Sequence, residues 1–329
     1  MGDALVAAGV RVLILSSGKA GHAANAIGVA EALGAAYQAE TVAPRGFYSA
    51  LSPYGPADPR DWPLRVASAL TAPGRVIAIA CGRVTVPYLR TLKRAAPEKI
   101  FAVFLQDPIA SRRQFDLIWA PQHDRLSGPN VISTLTSPHP FGAQRLMRER
   151  MAIDPRFAHL PSPRAAIVLG GPSAAHAFAA ADYARMSEAV RAIAAQGFSV
   201  MATPSRRTPP AFLAAVRQGL GDAPGFVWDG GGANPYAQIL ANADAILVTA
   251  DSVNMVGEAA ATGAPVHLFE SSSRARKTDD FLSALEKLGV VRRFAGRLEK
   301  FAYAPIDSSR TIAVEIARRF GQSNEPSRT

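Results

Sequence analysis

Thr249, Asp251, Ser252, Asn254 and Glu258 crowd into ten consecutive positions directly after the apolar run Ala245–Val248. These residue types suit binding more than bond cleavage. A carboxylate such as Glu258 can accept hydrogen bonds from two ribose hydroxyls. The free N–H groups of a helix start at Ser252–Asn254 can hold phosphate. Asp251 or Ser252 is placed to cap that helix. Glu258 follows Asp251 by seven residues and is expected on the same side of the helix. An exposed helix glutamate is the competing reading, which the small apolar neighbours Ala259–Ala261 disfavour.

Other chemistry-bearing groups lie elsewhere in the chain. Arg206 and Arg207 could clamp phosphate through their planar guanidinium forks, or sit solvated on a surface loop. Gly170-Gly171-Pro172-Ser173 reads as a tight turn where backbone approaches a ligand closely, or as a turn alone. In the first half, Gly18-Lys19-Ala20-Gly21-His22 joins a strand to a helix. His22 there is a candidate proton acceptor, or only a hydrogen-bonding residue. Gln106-Asp107 and His123-Asp124 could join His22 in a polar cluster, with structural hydrogen bonding the commoner role for Asp107. A His/Asp set also suits a metal, but close i, i+4 spacing and cysteine support are missing, so no metal is expected. The single Cys81 follows an apolar run and reads as a small buried residue rather than a nucleophile.

These groups need strands and helices to position them. Apolar runs at 10–15, 75–81, 100–105, 117–120, 130–134, 165–169, 198–202, 226–228, 245–250 and 264–269 read as strands, several too short to be buried helices. Helices alternate with them. Polar residues punctuate the carboxyl ends, where ligands of open α/β sheets bind. Five prolines between 43 and 63 argue for an extended loop. Breaks at Asp154-Pro155 and Pro161-Ser162-Pro163 suggest a boundary: a first domain over 1–150 and a second, with a tail from Gly321, over 151–329. The amphipathic segment 308–320 is a final helix that can cross back to the first domain.

The chain has 329 residues, 48% hydrophobic, enough for two cores. Its net charge is +10, with +7 in residues 1–160 and +3 in 161–329. A polyanionic substrate or an anionic membrane surface answers to that excess, as does plain solubility. No zinc spacing, basic helix or aromatic RNA-binding signature accompanies it, so nucleic acid is not expected. One cysteine points to a reducing compartment. No signal peptide and no apolar run of about 20 residues is evident, so the expectation is a cytoplasmic protein, at most peripheral on the inner face of a membrane.

Taken together, Gly18–His22, Gln106-Asp107-Pro108, Phe115-Asp116, Ala120–Asp124, Gly170–Ser173, Pro204–Thr208 and Thr249–Val266 resemble GT-B glycosyltransferases. Within that fold they are most similar to the bacterial branch of the mitochondrial-fission (elongated mitochondria) family. The resemblance implies two doubly wound α/β, Rossmann-like domains facing a cleft. It implies an acceptor on the first domain and a nucleotide-sugar donor on the second. Donor contacts would then fall on Gly171, Ser173, Ser205, Arg206, Arg207, Thr249, Asp251, Ser252, Asn254, Met255 and Glu258. His22 and Asp107 would be catalytic, with Gly18, Lys19, Gly21, Gln106, His123 and Asp124 beside them. The implied activity is metal-independent sugar transfer to a cell-envelope or lipid-linked glycan acceptor; the alternative is a non-catalytic scaffold for a membrane or protein partner. No NAD is expected, because the dinucleotide fingerprint and a Tyr-x-x-x-Lys pair are missing.

Overall fold

Strands made only of buried apolar residues, such as Val76–Cys81 and Ile100–Leu105, are covered on both faces, the signature of a parallel sheet packed between helices. The computed structural model describes residues 4–7, 9–62, 69–71, 73–273 and 276–322. It divides the chain into two units, 1–142 with 307–329, and 143–306.

Unit 1 holds β1 (Arg11–Ser16), β2 (Tyr37–Thr41), β3 (Val76–Cys81), β4 (Ile100–Leu105), β5 (Leu117–Pro121) and β6 (Val131–Thr134), all parallel, in the order β2-β1-β3-β4-β5-β6. The order reverses between β1 and β3, which opens a crevice at their carboxyl ends. Unit 2 holds β7 (Arg164–Leu169), β8 (Ser199–Pro204), β9 (Gly225–Val227), β10 (Ala245–Thr249), β11 (Val266–Phe269) and β12 (Val291–Arg293), also parallel, in the order β12-β11-β10-β7-β8-β9. Its reversal lies between β7 and β10.

The boundary falls after residue 142 rather than 150, and the final helix crosses back to the first unit as the sequence allowed. Helix Ala143–Met151 belongs to unit 2, because the Arg150 guanidinium donates to the Ala241 carbonyl at 2.7 Å. The last helix, Ser308–Gln322, returns to unit 1. It buries Ile312, Ile316 and Phe320 against Val29 and Leu33 of helix Ala20–Leu33. Ser309 ties it down by donating to the His139 carbonyl at 2.7 Å while accepting from the His139 N–H at 2.8 Å. The tail beyond Gln322 lies outside the described residues.

The proline-rich stretch is not wholly extended. Between Pro44 and Pro53 a short helix forms over Gly46–Leu51, and Asp58 caps a 3-10 turn at Pro59–Asp61. Proline sits outside or at the first position of each, where its missing N–H costs nothing.

Candidate functional site

In unit 2 the loops after β7, β8, β9 and β10 meet at one end of the sheet. A cavity of about 580 Å³ opens among them, between the loops after β8 and β9 and helix Val253–Ala260. Four expected donor residues line it: Ser205, Arg206, Met255 and Glu258. Trp228, Asn234 and Tyr236 complete much of the wall and were not expected. Ser205 ends its strand in a turn closed by Thr208, whose hydroxyl lies 3.0 Å from the Ser205 hydroxyl. Arg206 next to it makes no hydrogen bond or ion pair among the described residues, so its charge is available to a ligand.

Glu258 presents a half-buried carboxylate to this cavity, and Oε2 accepts a hydrogen bond from the Tyr236 hydroxyl. Burial raises the carboxyl to about 7; the tyrosine bond only partly offsets that. A carboxylic acid titrating near neutrality in a cavity marks a candidate site. Burial, then the Glu258 charge, pushes the Tyr236 phenol well above its usual range, so it stays a donor.

Asp251 does something else. The helix begins at Val253 with Ser252 as its cap, so Asp251 lies outside it and helical spacing does not put it beside Glu258. Its side chain is 0% exposed. Oδ2 accepts from the Gly171 N–H at 3.1 Å and the Arg207 guanidinium at 3.3 Å, while Oδ1 is buried with no partner among the described residues. Any Cβ on Gly170 would collide with this carboxylate. Arg207 also donates to the Gly171 carbonyl at 3.0 Å, and Thr249 accepts from the Gly170 N–H at 2.7 Å. So Gly171, Arg207, Thr249 and Asp251 form a brace across the β7/β10 crevice and do not line the cavity. Ser173 turns into its own loop, accepting from the His176 N–H at 3.2 Å, and Asn254 is exposed. The arginine pair is thereby split: Arg206 open, Arg207 committed.

In unit 1 the β1/β3 crevice holds His22. Its Nδ1 lies 2.7 Å from the Ser17 hydroxyl. Gly82, at φ +102, closes over both: a Cβ there would meet His22 Nδ1 at 2.5 Å and Ser17 Oγ at 2.8 Å. Burial, then the charge of Lys19, lowers the imidazole below 6.5, which leaves it neutral and able to accept a proton at pH 7. Gly18 sits at φ +76 in the turn, and both Lys19 and Gly21 are exposed. Asp107 does not share His22's availability. Arg112 grips it with bonds of 2.8 and 2.5 Å, the Ile109 N–H adds a third at 2.8 Å, and the carboxyl is held below its usual range. Such a carboxylate is a poor base. Gln106 takes φ +92 as the chain leaves β4. His123 stands 3.7 Å from Asp124 in a local pair on the turn after β5. Among the described residues no three His, Cys, Asp or Glu side chains gather as a metal site would require.

Ser17, Tyr236 and Trp228 escaped sequence reasoning. Ser17 is one of two adjacent serines, with nothing to say which would turn inward. Tyr236 and Trp228 carry no motif, and only the fold brings them beside Glu258.

A family model described as mitochondrial fission ELM1 matches residues 20–320. The chain belongs to the mitochondrial fission ELM1 family. The mitochondrial fission protein ELM1 of Arabidopsis thaliana is 29% identical over 272 residues, covering 74% of this chain and 64% of that one. The chain thus spans less than two thirds of that ELM1 relative. An uncharacterized protein of Rickettsia prowazekii is 32% identical over 96 residues, 27% of each chain. Among solved structures, the UDP-GlcNAc 2-epimerase of Methanocaldococcus jannaschii superposes with a TM-score of 0.52 at 8% identity, over 95% of this chain and 99% of that one. That likeness concerns the fold, and it agrees with two Rossmann-like units of the GT-B class for this ELM1 family member.

Proposed function

We propose that the protein is a GT-B-type glycosyltransferase that holds a nucleotide-sugar in the unit 2 cavity and passes the sugar to a cell-envelope or lipid-linked glycan acceptor served by unit 1. The observation that carries this reading is the Glu258 carboxylate, set in a cavity large enough for a nucleotide and faced by the unpaired Arg206. Glu258 accepts from the ribose hydroxyls. Arg206 and the free N–H groups at the start of helix Val253–Ala260 take the diphosphate. In the transfer, the acceptor hydroxyl oxygen bonds to the anomeric carbon as the bond from that carbon to the diphosphate oxygen breaks. The electron pair leaves with the diphosphate, and the hydroxyl proton passes to the His22 imidazole. His22 takes this role rather than Asp107, whose oxygens Arg112 already occupies. No step calls on a metal or NAD, and a cytoplasmic location suits such a donor.

The solved relative is named for UDP-GlcNAc, so uridine diphosphate and its N-acetylglucosamine ester are the first probes. A thermal-shift panel of nucleoside diphosphates tests the reading. A bound ligand at a hundred times its dissociation constant stabilises by about 2.7 kcal/mol, several degrees of melting temperature. No shift with any of them would favour the second reading, a scaffold that keeps the fold without the chemistry. One observation speaks for that reading: the protein's own Asp251 already occupies the Gly171 N–H and Arg207 at the β7/β10 crevice.

A further inference from the structure

Unit 1 presents apolar side chains to water in a way its own stability does not require. Ile109 holds φ +63 and is 52% exposed. A β-branched residue in the left-handed region is strained, and an exposed one gains no burial in return. Helix Gly46–Leu51 buries none of its side chains. Phe47 and Leu51, one turn apart, share a face, and Phe47 and Tyr54 are 67% and 69% exposed. Arg90 draws these segments together. Its guanidinium donates to the carbonyls of Pro53, Tyr54 and Gly55 and, at 3.2 Å, to the Ser111 hydroxyl two residues past Ile109. Arg90 is itself buried, and none of these partners is a carboxylate.

Charge frames the patch. Asp58 is matched by Arg60 and Asp107 by Arg112. Asp61 is turned to the Ala43 N–H and the Tyr88 hydroxyl. Arg45, at the start of the helix, and Arg113 are exposed beside them. Exposed aromatic and aliphatic side chains with a cationic surround fit a surface that is apolar below and anionic above.

We propose that Phe47, Leu51, Tyr54 and Ile109, with Arg45 and Arg113, form a docking face for an anionic lipid bilayer. Phe47, Leu51 and Ile109 enter the interface, the Tyr54 ring sits at headgroup level, and the arginines meet lipid phosphates. The face belongs to unit 1 and the nucleotide cavity to unit 2, and the proposal does not depend on the nucleotide reading.

Vesicle flotation tests the proposal, with phosphatidylcholine vesicles prepared with and without phosphatidylglycerol. The native chain is expected to float with the anionic vesicles, and less as salt is raised. A Phe47→Ser, Tyr54→Ser double variant should lose at least about tenfold in vesicle affinity, because two apolar insertions vanish. Met151→Ser, at an 82% exposed site in unit 2, should float like the native chain. Ile109→Gly separates function from folding: it should raise the melting temperature by relieving strain while lowering vesicle affinity severalfold. The proposal is overturned if the native chain stays with the soluble fraction, or if the double variant floats as well as the native chain. It is equally overturned if these substitutions only abolish a lipid-independent self-association seen by size exclusion. Uridine diphosphate binding, read on the same samples, bears on the nucleotide reading alone.

Discussion

Both sheets are parallel with one reversal of strand order, 2-1-3-4-5-6 in unit 1 and 3-2-1-4-5-6 in unit 2 when strands are counted within each unit. They use their carboxyl ends in opposite ways. At the β7/β10 crevice of unit 2 the protein fills the reversal point with its own carboxylate, Asp251, and the open cavity lies to one side, toward β8 and β9. At the β1/β3 crevice of unit 1 no carboxylate comparably fills the reversal point among the described residues: His22 and Ser17 stand there with Gly82 against them. Topology therefore says where a site can form. Which side chains are neutralised internally says whether that position can take a ligand. Carboxylates decide it in both units, Asp251 and Asp107 being spent on arginines while Glu258 is left facing space.

The largest test of that contrast is His22→Ala. Transfer should fall by about a hundredfold or more, as for loss of a general base, with donor affinity unchanged in a binding assay. An Asp107→Asn variant should change turnover far less, because Asp107 is already committed. Equal losses would break the distinction between available and committed groups.

Next in size is a stability effect confined to unit 2. His267 is buried, and burial lowers its imidazole to about 4, so its contribution is present above pH 6.5 and is lost as pH falls toward 4. Glu258 runs the other way: its carboxyl is raised to about 7, so stability falls as pH rises from 4.5 to 7. Between pH 4.5 and 6.5 the two slopes cancel in the native chain. Glu258→Gln removes one of them. Thermal unfolding of that variant should gain roughly 2–3 kcal/mol at pH 8 and show a slope of about 1.4 kcal/mol per pH unit in the acid range. A flat profile in both proteins would contradict the burial assigned to Glu258.

Smaller effects sharpen the picture. Tyr236→Phe removes the donor to Glu258 Oε2 and should weaken nucleotide binding about tenfold, roughly 1.4 kcal/mol, in a calorimetric titration. Ser17→Ala should leave donor affinity alone and shift the pH profile of turnover, since the Ser17 hydroxyl fixes the His22 ring.

Much of this architecture was legible in the residues. The unit Ala245–Phe269, with Ser252 as cap and Gly263 at φ +79 past the helix end, follows from its apolar runs and turn residues. β2 was not legible: its five residues are exposed or half-buried, and an edge strand carries little hydrophobic signal. β12, three residues with two arginines, hides for the same reason. Within the candidate site, Glu258 and Arg206 could be picked out by type and position. The opposite fates of Arg206 and Arg207 could not, because a one-residue difference in direction is set by the turn that Thr208 closes onto Ser205.

The most direct measurement is a calorimetric titration of uridine diphosphate, or of whichever nucleoside diphosphate gives the largest thermal shift, into the native chain and into Glu258→Ala at pH 6 and pH 8. Ribose hydroxyls donate to an ionised Glu258, so native affinity should be higher at pH 8, and the alanine variant should bind at least about a hundredfold more weakly, close to 2.7 kcal/mol. Native and variant chains that bind alike, or a native chain that binds no nucleoside diphosphate, would contradict it.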